Sequence, residues 1–166
     1  MPLETRACVI EEEIELIENQ IDDIATDVAQ LDPTSKRAER LEARGNRLDA
    51  HRRGLEWARR EYGGDAVIEL GGLTAGEYGR MEDDLPDDAG DGATRTTYVA
   101  HGTVDAPYAA DDIDTTIANV ATLPIGLVRW AEGQINGLTS VGDTGNRFYS
   151  SLAAKRAEET STDESG

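Results

Sequence analysis

The side chains of this sequence that could do bond chemistry are few and scattered. His51 and His101 lie in separate segments, and neither has a histidine, cysteine or carboxylate pattern at metal-ligand or catalytic spacing around it. Cys8 is the single cysteine, which excludes an intramolecular disulfide and a thiolate metal cluster; next to Val9 it reads as a small hydrophobe. Ser150-Ser151 and the threonines have no partner base in a recognisable frame. Gly71-Gly72 with Gly76 lacks the lysine of a phosphate loop and stands among acids. Asp83, Asp84, Asp87, Asp88 and Asp91 offer oxygen ligands for calcium. Their spacing is not that of an EF-hand and no glutamate closes the loop, so they read as solvated acid. Arg40, Arg44 and Arg47 share a helix face and are followed by Arg52-Arg53 and Arg59-Arg60, a pattern that could track a phosphate backbone. Acids are interleaved with them and an acidic segment precedes them, so pairing within the chain is expected instead. No catalytic, cofactor-binding or metal-ligating residue is assigned, and no enzyme is expected.

The strongest pattern is structural. Ile10, Ile14, Ile17, Ile21, Ile24, Val28 and Leu31 recur at intervals of 4, 3, 4, 3, 4 and 3, the a/d spacing of a coiled-coil seam. Burying each such side chain is worth about 1.5–3 kcal/mol, so the stripe requires another helix. Asp32-Pro33-Thr34-Ser35 ends the first helix and starts the next, with Asp32 or a following hydroxyl as N-cap. The second segment carries Leu41, Leu48, Leu55 and Tyr62, one apolar residue in seven, until Gly63-Gly64 stops it. Residues 1–32 hold ten acids and one arginine, a net of −9, whereas residues 33–64 hold nine bases and five acids, a net of +4. The spacing and charge predict an antiparallel coiled-coil hairpin over 1–64. The second helix offers only half a seam, so the seam residues are assigned as partner-binding and a homo-oligomer is expected.

Composition narrows the remaining classes. The 166 residues carry 34 acids against 16 bases, a formal charge of −18, which argues against nucleic acid and anionic membrane as main partners. Lys36 and Lys155 are the only lysines. Low lysine, abundant aspartate and a pI near 4.3 resemble the proteomes of salt-in halophilic archaea, where molar salt screens like charges. No apolar run is long enough for a membrane span and no secretory signal is visible, so an intracellular protein is expected.

Residues 65–141 read as a small helical domain. Ala66-Val67-Ile68-Glu69-Leu70 is its one short strand. Thr74 and Glu77 form a capping-box pattern that opens a helix to about Leu85. Residues 86–93 read as a mobile acidic linker. Thr94 to Val104 is read as helix from a Thr94 cap, with strand as the alternative because of Thr97, Tyr98, Val99 and Thr103. Pro107 ends it. Asp111-Asp112 starts a helix striped by Ile113, Ile117, Val120 and Ala121. Pro124 opens an amphipathic helix whose Leu127, Val128, Trp130, Ile135 and Leu138 are assigned as a second partner-binding stripe. A flexible acidic tail is expected over 142–166, with Phe148, Tyr149 and Leu152 as one contact segment. The fold class is mainly α.

From residue 66 to 141 the order of signals resembles tail assembly chaperones of tailed phages and tailed archaeal viruses. The motifs are the helix start Leu73-Thr74-Ala75-Gly76-Glu77, the loop Val104-Asp105-Ala106-Pro107 before Asp111-Asp112-Ile113, Leu123-Pro124, and Ile135-Asn136-Gly137-Leu138-Thr139. The resemblance implies transient binding to a tape-measure protein and recruitment of tail-tube subunits in the host cytoplasm. The alternatives are a structural component of a tailed haloarchaeal virus, located in the virion, and a cellular coiled-coil adaptor.

Overall fold

In the computed structural model, residues 3–140 are described. The elements in order are β1 (Thr5–Val9), α1 (Ile10–Ala29), α2 (Lys36–Tyr62), β2 (Val67–Gly71), α3 (Ala75–Asp83), α4 (Asp91–Gly102), β3 (Thr103–Asp105), α5 (Ile113–Val120) and α6 (Ile125–Thr139). The described part is mainly α with a small antiparallel sheet, ordered β1-β2-β3.

Local chemistry sets most helix ends. The Ser35 hydroxyl accepts from the Ala38 N–H and caps α2, leaving Pro33 in the turn before it. Gly63, at φ 98°, closes α2 in backbone geometry that disfavours any side chain. Thr74 and Glu77 form the reciprocal capping box of α3. Asp112 caps α5, and Pro124 precedes the first turn of α6.

The sheet departs from expectation. One strand is expected, whereas three form. Cys8 and Val9 belong to β1, which pairs with β2 from Thr5↔Gly71 to Val9↔Val67. β3 joins the other edge of β2 across an irregularity at Glu69/Leu70. Both added strands take their order from a partner distant in the chain, which local propensity does not report. The expected 86–93 linker is also shortened: α4 starts at Asp91, with Gly90 as its N-cap. Helix is the conformation of 94–102, and strand that of 103–105.

α1 and α2 pack as an antiparallel pair, with Glu11 against Arg59 and Ile24 against the backbone of Gly45. Ile10, Ile14 and Ile17 are buried in one cluster with Leu55, Ala58, Ile68, Leu70, Val99, Val120, Leu127 and Ile135. The hairpin's base and the 65–140 segment thus share a core. Ile24 and Ala38, in the hairpin's far half, are also buried but lie outside that cluster. α2 meets α6 at a glycine crossing. A Cβ on Gly54 would stand 2.2 Å from the Leu127 nitrogen, and one on Gly126 2.2 Å from the Ala50 carbonyl oxygen. The helices touch backbone to backbone there. The tail expected at 142–166, with Ser150-Ser151, Phe148, Tyr149 and Leu152, lies outside the described residues.

Candidate functional site

The groups with reactive potential are held in structural roles or apart from one another. The Cys8 thiol is buried and pushed up to about 11, first by desolvation and then by the neighbouring Glu13 carboxylate, so it stays protonated near neutral pH. Glu13 is itself buried and its pKa is raised by desolvation, partly offset by the Arg6 guanidinium 2.5 Å away. Arg6 also donates to Gln134, tying β1, α1 and α6 together. His101 Nε2 lies 2.7 Å from Asp84 Oδ2 at the α3–α4 edge, whereas His51 is on α2 in a different cleft. Gly72 packs against the carbonyl of Leu138, 2.2 Å from where its Cβ would be, which leaves no phosphate cradle. Among the described residues no group of three His, Cys, Asp or Glu side chains could hold a metal, and no helix is long and apolar enough to cross a membrane.

The assigned partner-binding stripes are used inside the chain. In the seam, Ile10, Ile14, Ile17 and Ile24 are buried, and Ile21, Val28 and Leu31 are half-buried beneath the chain's own elements. In α6, Leu127, Val128, Trp130 and Ile135 are buried and Leu138 is half-buried. The pairing expected between the basic and acidic helices is sparse: among the described residues only Arg59–Glu11 joins them, while Arg52 and Arg53 both pair with Asp49 of their own helix.

Among the open clefts of the described residues, two adjoin one another along α6. The first, of about 410 Å³, lies between α3, α4 and α6. Met81 and Tyr98 line it and Tyr78, 44% exposed, stands at its rim. Tyr98 is held by its hydroxyl, which donates to Asn136 Oδ1 at 2.7 Å and lies 3.3 Å from Thr139 Oγ1. Burial raises the Tyr98 pKa, so its phenol remains a neutral donor. Arg95 and Glu132 pair at 2.9 Å and form the wall shared with the second cleft, which Arg47, His51 and Arg129 line. Neither Tyr78 nor Arg129 carries a sequence signal beyond being an unplaced aromatic and a lone cation in an acidic segment.

No family model, characterised protein or solved structure matches this chain.

The motifs that carry the resemblance occupy defined places in the fold. The Leu73 N–H donates to Thr139 Oγ1 at 3.0 Å, joining the first motif to the last. In the loop after β3, Ala106 and Tyr108 are buried, the Tyr108 hydroxyl is 3.1 Å from Thr103 Oγ1, and Asn119 Nδ2 donates to the Tyr108 carbonyl at 3.0 Å. Desolvation pushes the Tyr108 phenol up to about 12.

Proposed function

We propose that this chain is a tail assembly chaperone of a tailed haloarchaeal virus. It binds a helical client, the tape-measure protein, in the host cytoplasm and brings tail-tube subunits to it, without catalysis or cofactor. One observation carries the reading: the Leu73–Thr139 hydrogen bond closes the resembling segment on itself beside the open cleft of Tyr78, Met81 and Tyr98. A cleft between helices that offers Met81 and two tyrosine rings among hydrogen-bonding groups suits one face of an amphipathic client helix. The buried seam and α6 stripe serve this role by holding the cleft's walls in place.

Co-expression with a tape-measure protein of a tailed haloarchaeal virus tests the reading. The full chain is expected to co-purify with that client and to be missing from mature particles. Tyr78→Glu, a change at an exposed position, is expected to abolish capture while leaving the helical circular dichroism signal unchanged. Stoichiometric amounts of the chain in purified particles would instead establish the structural-component alternative. Failure of the wild-type chain to capture the client would remove the chaperone reading.

A further inference from the structure

We infer that the groove along α6, between Arg47 and His51 of α2 and Arg95 of α4, docks an acidic helix of a protein partner. The inference rests on the client-binding reading and names the charge that the client carries.

The chain has about twice as many acids as bases, so an uncompensated cationic cluster is the unusual surface. Among the described residues, Arg47, His51 and Arg129 make no hydrogen bond or ion pair, whereas the one acid in the groove, Glu132, is taken by Arg95. Burial, followed by the Arg47 and Arg129 charges, holds the His51 pKa below its ordinary value. The groups facing His51 are Arg47 on its own helix, Arg129 and Glu132 on α6, and Arg95 on α4.

The donors project from helix flanks and no helix N-terminus opens into the groove, so a small free anion would lack converging backbone N–H groups. The floor favours a rod-shaped partner. At Gly133 nothing lies within 4 Å of where a Cβ would be, so a second helix can approach the α6 backbone closely. Carboxylates on such a helix would meet Arg47 and His51, one turn apart on α2, and Arg129 on α6. A nucleic acid fits less well, since the remainder of the molecule is strongly acidic and repels an extended phosphate chain.

The test uses the full chain and three probes: a synthetic glutamate-rich helical peptide, inorganic phosphate and a short single-stranded DNA. The peptide is expected to bind, and the His51 ring protons, followed by NMR, to titrate at higher pH when it is bound. Arg47→Gln with Arg129→Gln is expected to weaken peptide binding about tenfold, since each exposed pair contributes roughly 1.4- to 5-fold. Both arginines are exposed, so the double variant should fold, and the NMR spectrum verifies this in the same sample. Equal peptide affinity for wild type and double variant would overturn the inference. So would phosphate or DNA binding that depends on these arginines while the peptide does not bind. Client capture lost in Tyr78→Glu yet untouched by the arginine changes would reject the acidic-helix inference alone. No client capture by wild type would reject the chaperone reading.

Discussion

Replacing Gly126 by alanine should destabilise the chain, although alanine is the better helix former. The added methyl would fall 2.2 Å from the Ala50 carbonyl oxygen and 3.1 Å from its carbon. Carbon–oxygen contacts normally begin at about 3.3 Å, so α2 and α6 must part by about 1 Å. No rotamer change relieves a clash of methyl against backbone. A gap of that size forfeits roughly a quarter to a half of the dispersion energy of each separated atom pair, and the affected contacts include the buried Leu55 and Leu127. Overpacking of this type costs about 1–3 kcal/mol, offset by about 1 kcal/mol of helix propensity. With backbone as the obstacle the cost sits at the upper end, for a net loss of about 2 kcal/mol. At about 4 °C per kcal/mol the melting temperature falls by about 8 °C. Gly133 of the same helix has open space around it, so Gly133→Ala should gain about 0.5–1 kcal/mol. Thermal and urea unfolding followed by circular dichroism, in one molar-salt buffer, measures both. Shifts of the same sign in the two variants would refute the reasoning.

Two further outcomes are expected. Ile17→Asp places an unpaired charge in the shared core, so it should cost several kcal/mol and unfold residues 65–140 together with the hairpin; independent survival of that segment, read by limited proteolysis, would contradict a common core. His51, with its pKa lowered by burial and by Arg47 and Arg129, is held neutral in the fold. The unfolded chain takes up that proton first, so stability is full above about pH 6.5 and declines as pH falls through that value towards the folded pKa. His51→Gln should therefore lose less stability than wild type between about pH 7.5 and about pH 5.5; an equal loss in both proteins argues against the arginine environment.

The legible parts of this fold are those whose cause is local. The Thr74–Glu77 box, the Asp112 cap, Gly63 and Pro124 each act within a few residues, so helix ends follow from them. The heptad seam also shows in the sequence, but the spacing does not say which helix covers it, and the cover is the chain's own α2 and core. β1 runs into α1 with no turn residue between them, and its partner β2 lies beyond the whole hairpin, so nothing near Thr5 announces a strand. Gly54 and Gly126 read as weak helix positions until the crossing of α2 and α6 requires them. The clefts are less legible still. Tyr78, Arg95 and Arg129 come from three separate helices, and only packing makes them neighbours.

The upper part of the hairpin, around Ile24 and Ala38, is sealed by the two helices alone. Each residue adds about 1.5 Å to such a rod, so a matched heptad inserted in both arms would extend it by about 10 Å. The body below would register no change. The length of the rod and the shape of the clefts at the base can therefore vary independently.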